Sequence, residues 1–291
     1  MYECCNVRRF FKLLVIDAVI FGLTAVFFLI GKCIFFSAAE EHEEEGVFLP
    51  AIMYHSVHDG EPTDYSVTPQ QLDNDLAYLS EHGYTAVSAQ QLCDYTDNRC
   101  DLPEKPVLLT FDDGFYNNLC NVLPLLEKYD MRAVVSVVGS YIDNNAAADP
   151  HVADYSYLTW EDVNALLDSG RVEIGNHTYN MHFLSPRNGC AIMEGEDCQE
   201  YSEILSSDIS RLQSEMLENT GTLPVIFAYP LGSLCGESLP VLRECGFIMT
   251  LTCRERMNYI TRSPDCLRGI DRFNRSGLVP TEEFMERVLD E

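Results

Sequence analysis

Val107-Leu-Leu-Thr-Phe-Asp-Asp-Gly-Phe-Tyr-Asn-Asn118 decides how the chain is read. The apolar run Pro106 to Phe111 has the length and composition of a buried strand. It ends directly on two carboxylates, Asp112 and Asp113, and a glycine. Beyond Gly114 the spacing of Phe115, Leu119, Val122 and Leu126 predicts a helix with one apolar face. Adjacent residues on an extended chain point opposite ways, so the pair can divide its work, one carboxylate binding a cation and the other free as a base. An ordinary Asp-Asp-Gly surface turn is the competing reading. A second stretch tips the balance. Arg171 to Asn176 is another short strand pattern, and it opens on His177-Thr-Tyr-Asn-Met-His182. Two histidines and a carboxylate form a common open metal site, with positions left for water and substrate.

Working outward, Arg8, Arg9 and Lys12 precede an apolar stretch interrupted only by Asp17, and Glu40-Glu-His-Glu-Glu-Glu45 follows it. That pattern predicts a short cytoplasmic tail (1–12), a membrane-spanning signal-anchor helix (13–36), an acidic linker (37–47) and an exported domain (48–291). A cleaved signal peptide ending at Ser37-Ala38-Ala39 is the alternative. In the exported part, strand patterns alternate with helix patterns: a strand from Phe48 to His55, a helix capped at Thr68, strands at Tyr84–Val87 and Arg132–Gly139, a helix from Trp160, a loop at 188–202, a helix at Ile204–Leu217, a strand ending at Ala228, a helix at Ser238–Cys245 and a last helix from Thr281. Such alternation implies parallel βα units, which can close into a barrel with its site at the strands' C-terminal ends, where both motifs fall.

The formal charge is 19 − 46 = −27, so no basic stripe exists to neutralise phosphates and nucleic-acid binding is excluded. An acidic surface tolerates a polymer that gains free amines and repels anionic envelope polymers. Of twelve cysteines, nine follow the anchor, and Cys93/Cys100 and Cys190/Cys198 could each close a short loop. Cys120 is the expected buried free thiol.

Thr110-Phe-Asp-Asp-Gly114 resembles the first signature of the metal-dependent polysaccharide deacetylases, carbohydrate esterase family four. His177-Thr178…His182 resembles their second, with a five-residue spacing similar to the branch that deacetylates poly-β-1,6-N-acetylglucosamine. The resemblance spans Phe48 to Val288. It implies a distorted (β/α) barrel of about seven strands and a hydrolase that removes N-acetyl groups from a GlcNAc-containing polysaccharide or peptidoglycan. It further implies one divalent metal, zinc first and cobalt, nickel or manganese next, on Asp113, His177 and His182, with Asp112 as base. A backbone N–H in the turn of Tyr229 and Leu231 would hold the oxyanion, and Trp160 would stand near the sugar. Two features depart from the family. Its Arg-Pro-Pro-Tyr signature aligns with Ala228-Tyr-Pro-Leu231, so the arginine that steadies the base is missing, and Arg275 is the candidate substitute. No histidine follows His182, which leaves His55 as the best-placed imidazole acid. An O-acetyl esterase on xylan or another glycan, and a silent glycan-binding homologue, are the other readings. The expected setting is a monomer anchored in the cell membrane with its domain outside, acting on an acetylated glycan.

Overall fold

The computed structural model describes residues 46–145 and 151–289, together with Lys12, Val15, Phe21, Gly22, Thr24, Val26 and Phe27. The chain divides into two units, Met1–Glu44 and Glu45–Glu291. Apart from those seven helical positions, the expected anchor, linker and cleavage point up to residue 45 lie outside the described residues. Among the described residues no helix is long and apolar enough to cross a membrane.

The second unit contains thirteen described strands: β1 (Val47–Leu49), β2 (Ala51–Tyr54), β3 (Ser56–Val57), β4 (Ser66–Val67), β5 (Thr85–Ala86), β6 (Pro106–Phe111), β7 (Ala133–Val137), β8 (Val172–Asn176), β9 (Ile226–Ala228), β10 (Met249–Leu251), β11 (Asn258–Ile260), β12 (Arg268–Ile270) and β13 (Phe273–Asn274). The main sheet runs β12-β10-β9-β8-β7-β6-β2-β13, with β5 also on β6, and every pairing in it is parallel. A parallel sheet is covered on both faces, which explains the unbroken apolar runs of β6 and β7. Alternate residues serve different cores. Leu108, Val134, Ala228, Met249 and Leu251 pack with one another on one face. Val107, Leu109, Phe111 and Val135 pack on the other, against Leu72, Leu76 and Leu79 of the helix Pro69–Glu81.

The outermost strands, β12 and β13, are neighbours in sequence with only Asp271 and Arg272 between them. Three Cα–Cα steps reach at most about 11 Å, so the two sheet edges are drawn together by the chain itself. The result is a barrel-type α/β fold whose described seam is a two-residue crossing rather than a β-ladder. The α/β class and the parallel units agree with the sequence reading, and the strand path has eight members where about seven were expected.

Several boundaries move for local reasons. The segment after Gly114 forms a π-type turn at Asn118–Val122, then a helix at Leu123–Lys128, because Pro124 has no N–H to continue a regular ladder. Asn117 and Asn118 are fully buried. Asn117 accepts from Val57 N and donates to Ser56 Oγ, each at 2.9 Å, and Asn121 Nδ2 donates to Val57 O at 2.8 Å, which fixes the segment after His55. The long helix runs Cys198–Thr220, six residues before the expected start, because Asp197 caps it by accepting from Gln199 and Glu200 N–H groups. All nine described cysteines are free, so neither expected short-loop disulfide is present. Cys190 is buried against Ser233 while Cys198 is exposed on its helix, and Cys100 Sγ turns to Gln91 O. Cys120 is free as expected but only half-buried.

Arg275 closes the last unit. It and Asp75 are both fully buried, paired at 2.8 Å, and Tyr54 and Thr281 hydroxyls also donate to Asp75. The pair ties the helix Pro69–Glu81 to the helix Thr281–Leu289. Arg275→Met leaves the Asp75 charge buried without a counter-ion and should cost about 3–5 kcal/mol in denaturant unfolding. A loss below about 1 kcal/mol, the range of exposed pairs, would contradict that role.

Candidate active site

Strand β6 carries the two carboxylates to the C-terminal edge of the sheet. Asp112 N–H still donates to Tyr54 O at 3.0 Å, so Asp112 is held as the ladder's next residue. Asp113 and Gly114 then both take left-handed backbone angles, φ 72° and 71°. Asp tolerates this conformation better than most residues. At Gly114 a Cβ would lie 3.0 Å from Val137 Cγ1, so the turn needs glycine there. The reversal points the two carboxylates differently.

The Asp112 carboxylate is 2% exposed and receives both arms of Arg272, Nη1 to Oδ1 and Nη2 to Oδ2, each at 2.8 Å. Arg272 is itself fully buried, with Nε on Thr252 O at 2.9 Å and Nη1 also on Thr110 Oγ1 at 3.2 Å. Burial alone would raise the Asp112 pKa, but the Arg272 guanidinium, helped by His177, outweighs it and holds the carboxyl well below its usual range. The group stays an anion.

Asp113 faces the histidines. Its Oδ1 lies 3.6 Å from His177 Nε2 and 3.2 Å from His182 Nε2, yet it is buried without a hydrogen bond of acceptable geometry. Ligand atoms of the three residues all lie within 4.8 Å of one another. The far ring nitrogens are engaged: His177 Nδ1 is 2.8 Å from Ala228 O, and His182 Nδ1 is 3.2 Å from Tyr141 Oη. A carbonyl can only accept, so His177 carries its proton on Nδ1 and turns the Nε2 lone pair inward. Burial lowers the His177 pKa despite the two carboxylates, which keeps that lone pair free. At His182 burial also acts to lower the pKa, but the Asp113 carboxylate overrides it and raises it. An orphaned carboxylate oxygen converging with two imidazole nitrogens fits a divalent cation, and the donor set suits zinc and its neighbours.

Backbone strain gathers here. Among the described residues five non-glycine positions have positive φ, and three, Asp113, Thr178 (69°) and Leu231 (56°), belong to this site. Thr178 is β-branched, so its strain is the most costly. Asn176 Oδ1 accepts the Thr178 N–H at 2.8 Å, and Thr178 Oγ1 accepts from Met181 N, which shapes the loop that returns His182 to Asp113. Within Tyr229–Gly232, Pro230 has no N–H. The Tyr229 N–H is given to Leu251 O and the Gly232 N–H to Tyr229 O, which leaves the Leu231 N–H as the turn's donor. Ala228 O, bonded to His177, places this turn beside the Asp113, His177 and His182 cluster.

The remaining expected residues divide. His55 borders the centre, within the fields of Asp112 and Asp113, and its Nδ1 is buried without a partner. Burial lowers its pKa more than those carboxylates raise it, so the ring is neutral at neutral pH. The Tyr229 side chain is not at the site: it is fully buried with its hydroxyl on Ser238 Oγ at 3.1 Å. Trp160 opens its helix and packs against the main core. Aromatic rings around the Asp113, His177 and His182 cluster include Phe115, Tyr157 and Tyr141, in successive contact at 5.0 and 4.4 Å, with Tyr141 5.8 Å from His182. Arg275 does not steady Asp112; Arg272 does, three residues earlier. Reading 268–275 as two short strands separates the two arginines, with Arg272 in the crossing between β12 and β13 and Arg275 just after β13.

The polysaccharide deacetylase profile matches residues 99–250. A poly-β-1,6-N-acetyl-D-glucosamine N-deacetylase of Escherichia coli strain K12 is 30% identical over 261 residues, covering 82% of this chain and 38% of that protein. The chain therefore spans well under half the length of that relative. A Staphylococcus aureus (strain MRSA252) protein of the same description is 21% identical over 209 residues, covering 72% of this chain and 68% of its own. Among solved structures, a de-N-acetylase from Aggregatibacter actinomycetemcomitans superposes with a TM-score of 0.70 at 24% identity, over 83% of this chain and 100% of that one. IcaB from Ammonifex degensii gives 0.68 at 24% identity, over 84% and 97%. At such identities the structures establish the fold alone, and the profile, which takes in both the Asp-Asp and the His-His elements, establishes kinship: the chain belongs to the polysaccharide deacetylase family.

Proposed function

We propose that this chain is a metal-dependent hydrolase that removes N-acetyl groups from a GlcNAc polymer. One observation carries the reading. Of two adjacent carboxylates, one is held by a bidentate arginine and the other has an oxygen left orphaned against two histidine nitrogens. That asymmetry is what hydrolysis of an amide by activated water requires, one group to hold a cation and one to take a proton. The description of the E. coli relative supports the glycan class.

The roles follow from the atoms. Asp113, His177 and His182 would hold the cation, which when bound supplies Lewis-acid chemistry by polarising an acyl carbonyl and acidifying a water. Asp112, kept anionic and in one orientation by Arg272, accepts the proton of the attacking water. The Leu231 N–H, fixed by a strained turn, donates to the developing oxyanion. Amide cleavage must also protonate the leaving nitrogen. His55, with a neutral ring and an unpartnered Nδ1, is the imidazole placed to relay that proton. Acetate and a free amine result.

Acetate release from β-1,6- and β-1,4-linked GlcNAc oligomers and from acetylated xylan tests the reading. Release from a GlcNAc oligomer should stop on chelation and return with zinc or cobalt. Release from xylan alone would make the chain an O-acetyl esterase, and no release from any of them a binding homologue. The steadying role of Arg272 makes a separate expectation. Arg272→Gln leaves Asp112 buried without its counter-charge, so the Asp112 pKa rises and the anion is lost at higher pH than in the parent. Turnover should fall by about 10²-fold at neutral pH, and the acid limb of the pH–rate profile should move up. An unmoved limb would show that Asp112 is not the base.

A further inference from the structure

The loop after β10 carries Cys253, Arg254, Glu255 and Arg256 to the sheet edge that holds Asp112, Asp113 and His177. Cys253 ties this loop to the site. Its Sγ lies 3.9 Å from Arg272 Nη2, and its Cβ would be 3.0 Å from a Cβ at Gly232, so it touches both the arginine behind the base and the oxyanion turn. Arg254 and Arg256 follow Cys253 on this loop and are both held by Asp271, the residue before Arg272. Arg254 Nε donates to Asp271 Oδ1 at 2.9 Å, and Arg256 reaches Asp271 Oδ2 through Nε at 3.1 Å and Nη2 at 2.9 Å. Asp271 is 2% exposed at its side chain, while the two arginines are 58% and 73% exposed.

One buried carboxylate thus anchors two solvent-facing guanidiniums. Two positive charges on one negative leave a net charge of about +1, with the unused N–H groups held in place. The acid between them does not cancel it, because Glu255 is drawn off by Arg287 at 2.9 Å and by the Asn274 N–H at 3.0 Å. In a chain of formal charge −27 this local excess opposes the general field. Anchored guanidinium forks bind carboxylate and phosphate oxygens better than flexible ammonium groups do.

We propose that Arg254 and Arg256 form a subsite for an oxyanion, a carboxylate or a phosphate, carried on a sugar next to the one whose acetamide is cleaved. The inference rests on the deacetylase reading and adds a substrate preference to it: the acidic surface disfavours anionic glycans in general, and this subsite admits one whose negative charge falls at that spot.

The test uses the full chain and three GlcNAc-based oligomers of equal length. One is neutral, one carries lactyl carboxylates on alternate residues, and one carries a phosphodiester. Both turnover and equilibrium binding are measured for the parent, for Arg256→Gln and for the Arg254→Gln/Arg256→Gln pair. The parent should favour at least one anionic oligomer over the neutral one. In the double variant the ratio of kcat/KM for that oligomer over the neutral one should fall about tenfold, the worth of one charge-assisted contact. Arg256→Gln leaves Asp271 bonded to Arg254 and Thr252, so it should lose part of the preference even where the double variant is poorly folded. Preference for the carboxylate or for the phosphate oligomer identifies the source of the charge. A parent that favours the neutral oligomer, or variants that lose affinity equally for all three, would overturn the proposal and leave the arginines as supports of Asp271. The absence of acetate from every oligomer, with selective binding intact, would overturn the deacetylase reading and not the subsite.

Discussion

The bidentate pair between Arg272 and Asp112 is the constraint on which the centre depends. A carboxylate at 2% exposure would be expensive to keep ionised, and burial alone would protonate it. Arg272 reverses that, but a fully buried guanidinium has the same problem, and the desolvation of two ions is seldom repaid by their attraction. A buried pair is therefore weak evidence for stability, and its presence beside two histidines and a second carboxylate points to function. It keeps Asp112 anionic and occupies both of its oxygens with protein donors. The neighbouring Asp113 is left as the carboxylate with an open face.

Topology delivers the arginine. The two edges of the parallel sheet are joined by Asp271 and Arg272 alone, so the residue that spans the seam is also the residue that reaches into the barrel end. Asp271 anchors the crossing from the other side through Thr252, Arg254, Arg256 and Asn258. The opposing half of the site is fixed by strain. Asp113, Thr178 and Leu231 each hold a left-handed backbone that ordinary residues avoid, and each follows a strand whose ladder leaves little freedom. Rigid strands and strained turns place the donor groups before any ligand arrives.

Local signals made much of this visible in the sequence. Asp112, Asp113, His177 and His182 could be found because each pair is written within six residues at the end of an apolar run. Alternating periods gave the parallel α/β class for the same reason. What was not legible depends on distant pairing. Arg272 and Arg275 are separated by one turn of short strand, and only the pairing of β13 with β2 decides that Arg275 points to Asp75 while Arg272 meets Asp112. Trp160 opens its helix and packs partly against the core while keeping part of its surface exposed. The early start of the helix at Cys198 is set by the capping Asp197, and Tyr201 extends the buried stripe of Leu205, Ile209, Leu212 and Met216 by one turn. Cys93/Cys100 and Cys190/Cys198 stay unpaired, and spacing along the chain says nothing of which way each thiol faces.

The central claim is that Asp112 and Asp113, adjacent in sequence, do different work. Bound metal and acetate release measured side by side on Asp112→Asn and Asp113→Asn test it most directly. Asp112→Asn should keep the parent's metal content and lose turnover by about 10²–10⁴-fold, whereas Asp113→Asn should lose the metal itself. Near-parent turnover in Asp112→Asn, or undiminished metal affinity in Asp113→Asn, would contradict the account.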